Sequence, residues 1–453
     1  MQAFDSTTIV ALSTPRGYSG IAIIRLSGRQ SKKIINKIFK TAGQISPRRA
    51  TYGSVYDKDG FIDNAIVTYF PAPHSYTGED VVEISTHGNP FICDLIIEAV
   101  KTHGAVDAAP GEFTKRAFLN NKLDLSQAEG VADIIYSSSR AALTASSDLL
   151  GGSFGKTVSK IKKSIVDILS VLELELDFSE EEINFSSEVD TAEKVSEIIK
   201  KVDSLLESYK IGKIIRDGIL CPIIGLPNCG KSTLFNSFLK EERVIVSPIP
   251  GTTRDYIEES LRVGNYLVRL IDTAGLRKTK NTVESIGIQK ANKLIEKSNA
   301  ILYVIDPTTN TDISSNIRQG FLEKTYFIIN KSDIATDNQI KRAVRLAGKR
   351  PYFICSAITG SGVHEIAAAL VKEIEMKSEK YDAVIITRRR HREALKNVRK
   401  CLLKAQRNLL KSVAPEIVSI DLRDALSFLD VLLGKTENED ILNNIFNNFC
   451  VGK

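Results

Sequence analysis

The stretch Gly225-Leu226-Pro227-Asn228-Cys229-Gly230-Lys231-Ser232 fits G-x-x-x-x-G-K-[ST], the pattern of a phosphate-binding loop. Gly225 and Gly230 let the backbone curl so that its N–H groups face the phosphates. Lys231 brings a positive charge to the terminal phosphates, and Ser232 a hydroxyl for Mg²⁺. Such a loop needs a strand before it and a helix after it. Ile219–Ile224 is a short apolar run, and Thr233–Leu239 opens a helical pattern with Leu234, Phe235 and Phe238 on one side. The loop therefore predicts an α/β nucleotide domain.

Four further elements follow in order. Ser247-Pro248-Ile249-Pro250 leads into Gly251-Thr252-Thr253-Arg254-Asp255, where a threonine on a switch segment can complete the Mg²⁺ shell. Leu267–Ile271 reads as a strand ending in Asp272-Thr273-Ala274-Gly275; Asp272 is placed for the metal shell, and the Gly275 N–H for the γ-phosphate. Asn330-Lys331-Ser332-Asp333 ends the run Tyr326–Ile329. A carboxylate at Asp333 accepts from guanine N1–H and the exocyclic amine, a donor pair that adenine lacks. Ser356-Ala357 ends Tyr352–Cys355, beside the guanine O6. Each element falls at the carboxyl end of an expected strand, as the ligand crevice of an α/β sheet requires. The set predicts a GTPase. Leu276 stands where many such enzymes carry a water-orienting glutamine, so that role must fall elsewhere; Arg254, Arg277 and Glu284 are candidates, or solvated surface residues.

Around this block the pattern changes. Residues 1–120 read as an α+β domain: strands at Thr8–Leu12, Gly20–Leu26, Tyr52–Tyr56, Ala65–Phe70 and Val81–Ser85, and helices at Ser31–Lys40 and Pro90–Lys101, the latter with Ile92, Leu95, Ile96 and Ile97 inward. Residues 121–217 carry long helical repeats through Ile161, Ile165 and Leu172 and through Val195, Ile199 and Val202, with an acidic turn at Asp177–Glu182 between them. Residues 218–377 alternate strand and helix, and 378–453 are helical again, with helices expected at Arg388–Leu410 and Ser419–Leu433. The order implies a nucleotide domain inserted into one helical domain.

At 453 residues, about two to four domains are expected. The hydrophobic share of 43% and charged share of 26% are those of a globular protein, and no apolar run is long enough to span a membrane. Met1–Val10 lacks a basic segment followed by an apolar core, so no secretory signal is expected. The six cysteines are scattered with no C-x-x-C pair, which argues against disulfides and structural zinc and for a reducing, cytoplasmic setting. A net charge of +6 permits a nucleic-acid partner without demanding one. The basic run Arg388-Arg389-Arg390-His391-Arg392 reads either as a phosphate contact or as a solvated face.

The nucleotide motifs, with Asp272-Thr-Ala-Gly-Leu-Arg, resemble GTPases of the MnmE (TrmE), Era and Der type, and three outlying stretches narrow the likeness to MnmE: residues 20–28 (GIAIIRLSG), 76–88 (YTGEDVVEISTHG) and 111–130 (GEFTKRAFLNNKLDLSQAEG). The terminal Cys450-Val451-Gly452-Lys453 is similar to the family's C-x-G-K. The resemblance implies a homodimer joined through N-terminal domains and a G domain inserted in a helical one. It implies work with the FAD-dependent partner MnmG, as a heterotetramer, on C5 of the wobble uridine of tRNA. The one-carbon unit would come from 5-formyl- or 5,10-methylene-tetrahydrofolate, and GTP hydrolysis would depend on K⁺.

By the same resemblance, Asn228, Ser247, Ile249 and Thr252 are K⁺ ligands, Ser232 and Thr253 are Mg²⁺ ligands, and Glu284 orders the attacking water. Arg25, Glu83, Lys122 and Lys453 match folate-binding positions; read alone, Arg25 and Glu83 suit a structural ion pair as well. Cys450 is a candidate nucleophile beside Lys453, or a thiol packed against Phe449. Asn89 replaces a family glycine after His87-Gly88, and Tyr18 and Ser19 interrupt a glycine-rich loop. A ribosome-assembly switch without one-carbon chemistry is the competing reading.

Overall fold

The computed structural model describes residues 7–177, 188–242, 257–272, 294–309, 319–378, 384–435, 439–447, 449 and 451–452. In chain order the first elements are β1 (Thr8–Leu12), β2 (Ser19–Ser27), α1 (Ser31–Ile38), β3 (Phe39–Lys40), β4 (Thr51–Tyr56), β5 (Phe61–Phe70), β6 (Val81–Gly88), α2 (Pro90–Lys101), β7 (Ala105–Asp107) and α3 (Glu112–Leu119). Helices α4 (Leu125–Tyr136), α5 (Arg140–Leu150), α6 (Ser153–Asp177) and α7 (Glu188–Asp217) follow. Then come β8 (Ile219–Gly225), α8 (Lys231–Glu242), β9 (Ile257–Val263), β10 (Tyr266–Asp272), β11 (Ile301–Ile305), β12 (Thr325–Ile329), α9 (Asp337–Ala347), β13 (Tyr352–Ile354) and α10 (Val363–Ser378). The last are α11 (Arg389–Leu409), α12 (Pro415–Leu433) and α13 (Glu439–Phe446). Two compact units result: Met1–Ala132 with Leu149–Lys162 and Leu426–Lys453, and Asp133–Asp148 with Lys163–Ala425.

The first unit is built on a seven-stranded sheet in the order β3-β4-β5-β6-β2-β1-β7, antiparallel except for β1 with β7. Alternation does the work: Ala65, Val67 and Tyr69 on β5, Val82 and Ile84 on β6, and Ala22, Ile24 and Leu26 on β2 are buried in one core with α1 and α2. The same alternation turns Arg25 and Glu83 to the opposite face, where the β2–β6 register makes them direct partners.

Two expectations shift here. The helix expected through Lys40 stops at Ile38, because Phe39 turns extended and buries its ring while pairing with Val55. On α2 the buried stripe is Cys93, Ile96, Ala99 and Val100; of the four residues expected inward only Ile96 is fully buried. That stripe follows the three-to-four spacing more closely than the run of isoleucines does. Asn89 supplies the helix cap, its Oδ1 accepting from the Phe91 N–H at 2.9 Å, so the departure from glycine there has a local reason. Phe446 and Phe449 pack with Leu125 and Ala128 as a satellite cluster.

The second unit holds a six-stranded sheet, β13-β12-β11-β8-β10-β9, parallel except for β9 with β10. β11 is buried at every position and β10 at nearly every one, as a parallel sheet covered on both faces demands. Residues 384–409 return to α7: the Ile386 N–H donates to Ser208 Oγ at 3.1 Å, and Arg399 pairs with Asp203 at 2.5 Å. That return agrees with an inserted nucleotide domain. The acidic turn after Asp177 lies outside the described residues.

In the basic run, Arg388 is an internal ion-pair member. Its Nη2 and Nε reach the two oxygens of buried Asp133 at 2.8 and 3.0 Å, and Arg216 approaches the same carboxylate at 3.2 Å. His391 is buried, and Arg392 lies over the Tyr209 ring at 4.9 Å. Packing explains these three positions without a phosphate.

Candidate functional site

The phosphate loop joins β8 to α8. Gly225 (φ 150°), Asn228 (φ 63°) and Gly230 (φ 96°) hold its curl. At Gly230 the need is steric as well: a Cβ there would stand 2.2 Å from Asn330 Nδ2. The Cys229 side chain is buried, so only its backbone is available to a ligand, and its carbonyl accepts from Asn330 Nδ2 at 3.0 Å. Lys231 folds over the loop and donates from Nζ to the Leu226 carbonyl at 2.6 Å. Ser232 and Thr233 are exposed in the first turn of α8.

Ser232 Oγ donates to Oδ2 of Asp272, buried at the end of β10, at 2.9 Å. A hydroxyl and a carboxylate meeting at the loop form a hard oxygen set that suits Mg²⁺. Asn228, exposed on the loop, offers an amide oxygen of the kind that K⁺ takes. The remaining residues expected here, Ser247, Pro248, Ile249, Pro250, Gly251, Thr252, Thr253, Thr273, Ala274, Gly275 and Glu284, lie outside the described residues, as do Cys450 and Lys453.

The elements expected to read the base sit at the carboxyl ends of β12 and β13. Asn330 is fully buried and acts as a staple: besides its bond to the loop, its Oδ1 accepts from the Ala357 N–H at 2.9 Å. The Ser332 N–H donates to the Cys355 carbonyl at 3.1 Å, and Ser356 Oγ accepts from the Thr359 N–H at 3.3 Å. Lys331 adopts a left-handed φ of 60°, after which the Asp333 carboxylate stands exposed. The structure thus brings Asn228, Cys229, Gly230, Lys231, Ser232, Asp272, Asn330, Lys331 and Ala357 into one bonded cleft.

One member of that cleft is absent from the sequence reading. Asp306, at the end of β11, pairs through Oδ2 with Lys331 Nζ at 2.5 Å and accepts from the Thr308 N–H and Oγ1 at 2.9 and 2.6 Å. Burial pushes its carboxyl up, but the bonds from Lys331 and Thr308 outweigh that and hold it below the ordinary value. Its signal in sequence is the one that marks Asp272, an aspartate directly after an apolar strand.

In the first unit, Arg25 donates through Nε and Nη2 to Glu83 Oε1 at 2.9 and 2.8 Å. Its Nη1 donates to the Gly452 carbonyl at 3.2 Å, and Ser13 Oγ reaches the same oxygen at 3.1 Å. Gly452 (φ 91°) lies so close to β1 that a Cβ would come within 2.4 Å of the Leu12 carbonyl. The guanidinium carbon stands 5.7 Å from the Tyr76 ring and 5.8 Å from that of Phe113. The ion pair expected of Arg25 and Glu83 therefore forms, and the Gly452 carbonyl joins it. A guanidinium and a carboxylate beside the half-buried Tyr76 ring are groups that suit a polar-edged ring carrying carboxylates, whereas Phe113 is fully buried. Lys122 is exposed and donates from Nζ to the Pro73 carbonyl at 3.1 Å.

The family model described as "GTP-binding protein TrmE N-terminus" matches residues 8–122, and "MnmE helical domain" matches residues 125–450. A protein of Aquifex aeolicus named tRNA modification GTPase MnmE is 39% identical over 449 residues, covering 98% of this chain and 99% of that protein. Proteins of the same name from Caldicellulosiruptor saccharolyticus and Moorella thermoacetica are each 40% identical, again over 98% of this chain and 99% of theirs. Among solved structures, the G domain of the T. maritima FeoB iron transporter matches 34% of this chain and 97% of that one, at 21% identity and a TM-score of 0.25. Two family models and relatives aligned end to end lead to one conclusion: the chain belongs to the MnmE (TrmE) family of GTPases.

Proposed function

We propose that this GTPase is the GTP-hydrolysing subunit that modifies C5 of the wobble uridine in tRNA with a one-carbon unit carried by tetrahydrofolate. The observation that carries the reading is the Gly452 carbonyl bound by Arg25, itself paired with Glu83. A binding switch for ribosome assembly does not require such a cluster. In this reading the chain has four parts, 1–120, 121–217, 218–377 and 378–453. It pairs with a second copy through the first part, works with an FAD-dependent MnmG protein, and acts in the cytoplasm. No helix among the described residues is long and apolar enough to cross a membrane.

The residues divide the chemistry. Asp333 accepts from the guanine edge, and Asn330 keeps its turn fixed to the phosphate loop. Backbone N–H groups of residues 228–233 and the Lys231 ammonium hold the phosphates. Ser232 and Asp272, with Thr253, would hold Mg²⁺, and Asn228, with Ser247, Ile249 and Thr252, would hold K⁺. Cations so held supply positive charge against the negative charge that develops on the phosphates. Glu284 orients water in place of the glutamine that Leu276 displaces. Arg25, Glu83, Lys122 and Lys453 bind the folate, and Cys450 is the candidate nucleophile.

Calorimetric titration with 5-formyl-tetrahydrofolate tests the folate site. Wild-type protein should give saturable binding, weakened about tenfold or more in Arg25→Ala, the loss expected for a charge-assisted contact. Absence of binding heat from the wild type would leave the N-terminal part a dimerisation unit only.

A further inference from the structure

Lys331 is held from two sides that belong to different loops. Its Nζ donates to the Asn228 carbonyl of the phosphate loop at 3.0 Å and to Asp306 Oδ2 at 2.5 Å. The Asp306 side chain is only 8% exposed and is itself fixed by the turn that Thr308 closes beneath it. Both Asn228 and Lys331 sit at positive φ, a conformation that a non-glycine residue keeps only where its surroundings impose it. Asn330 makes a second tie between the same loops, but through a neutral amide.

We propose that Asp306 is a positioning residue for nucleotide binding: by anchoring Lys331 it locks the base-reading turn to the phosphate loop and so slows nucleotide release. The physical reason is a matter of distance and charge. A lysine on a flexible stem fixes a loop only if its ammonium has a fixed counter-charge, and a buried aspartate at a strand end is such a charge. With Asp306 in place, the Asn228 carbonyl is drawn toward Lys331, and the Lys331 backbone sets the direction from which Asp333 meets the base. Without it, Lys331 keeps only a neutral acceptor, and the two halves of the cleft, base-reading and phosphate-holding, move independently. Substrate contact is made by other residues; Asp306 acts through Lys331. The proposal rests on the reading of this cleft as the guanine-nucleotide site.

Stopped-flow release of a fluorescent GDP from the full-length protein tests it. Asp306→Asn, which keeps the shape and the Thr308 turn but removes the charge, should speed release by about 10- to 100-fold, the range expected for one charged hydrogen bond. Lys331→Met should speed it at least as much, and adding Asp306→Asn to Lys331→Met should have no further effect. Asp306→Glu, which restores the charge, should return most of the loss. Unchanged release in Asp306→Asn overturns the proposal, as does an effect of Asp306→Asn that persists undiminished in the Lys331→Met background, since a structural role would add there. Lys331→Met leaves Asp306 intact, so unchanged release in that variant also overturns the proposal even if Asp306→Asn fails to fold. Failure of the wild type to bind GDP at all would strike the nucleotide-site reading itself, a distinct outcome.

Discussion

Asp333→Asn is expected to lower kcat/KM for GTP by about 10²- to 10³-fold and to raise it for XTP, the size that loss of a charged, paired contact commands. The aspartate only accepts, which matches the two donors on the guanine edge. Asparagine presents one donor and one acceptor, which matches xanthine, where a carbonyl replaces the exocyclic amine. Because the Asp333 side chain is exposed, the change should leave the melting temperature nearly unmoved. Parallel turnover measurements with the two nucleotides separate specificity from stability, and an unaltered GTP preference in the variant would remove Asp333 from the base-reading role.

Replacing K⁺ by Na⁺ is expected to cut GTP turnover by about tenfold or more: the two ions carry the same charge, but the smaller Na⁺ suits a different set of oxygen ligands, so a site built for K⁺ holds less positive charge at the phosphates. Leu276 after Gly275 removes only the water-orienting glutamine; the charge role of an arginine finger is separate, and a bound K⁺ would fill it. Asn228 is the described residue that ties this to the structure, exposed on the loop with its backbone turned to positive φ. Asn228→Ala should lower the rate in K⁺ and abolish the difference between the two salts. Equal turnover of the wild type in K⁺ and Na⁺ would strip Asn228 of the ligand role.

Much of this architecture is legible in the chain because local rules and tertiary demands coincide. β8 and α8 follow directly from Gly225–Ser232, and the strand before Asp272 from an apolar run that only a doubly covered sheet can bury. The alternation in β2 and β6 announces two strands, and their register then explains why Arg25 faces Glu83. Other features are not local. Nothing near Arg388 in sequence points to Asp133, which lies 255 positions away. Gly452 and Leu12 stand at opposite ends of the chain, and only packing brings the carbonyl of one to the guanidinium beside the other. Asp306 escaped for a different reason: it belongs to no motif, and its importance comes from the partner it holds. Where Phe39 leaves the helix for a strand, the burial of one aromatic ring outweighs the helical spacing of the isoleucines before it.

The nucleotide cleft of one unit and the Arg25–Glu83 cluster of the other are proposed to serve a single function, the modification of tRNA. Mass analysis of wobble uridines from cells lacking this gene tests that most directly. The C5 modification should be absent from the deletion strain, return with the wild-type gene, and stay absent with Arg25→Ala. Intact modification in the deletion strain would contradict the account and favour a GTP-dependent switch with no part in one-carbon chemistry.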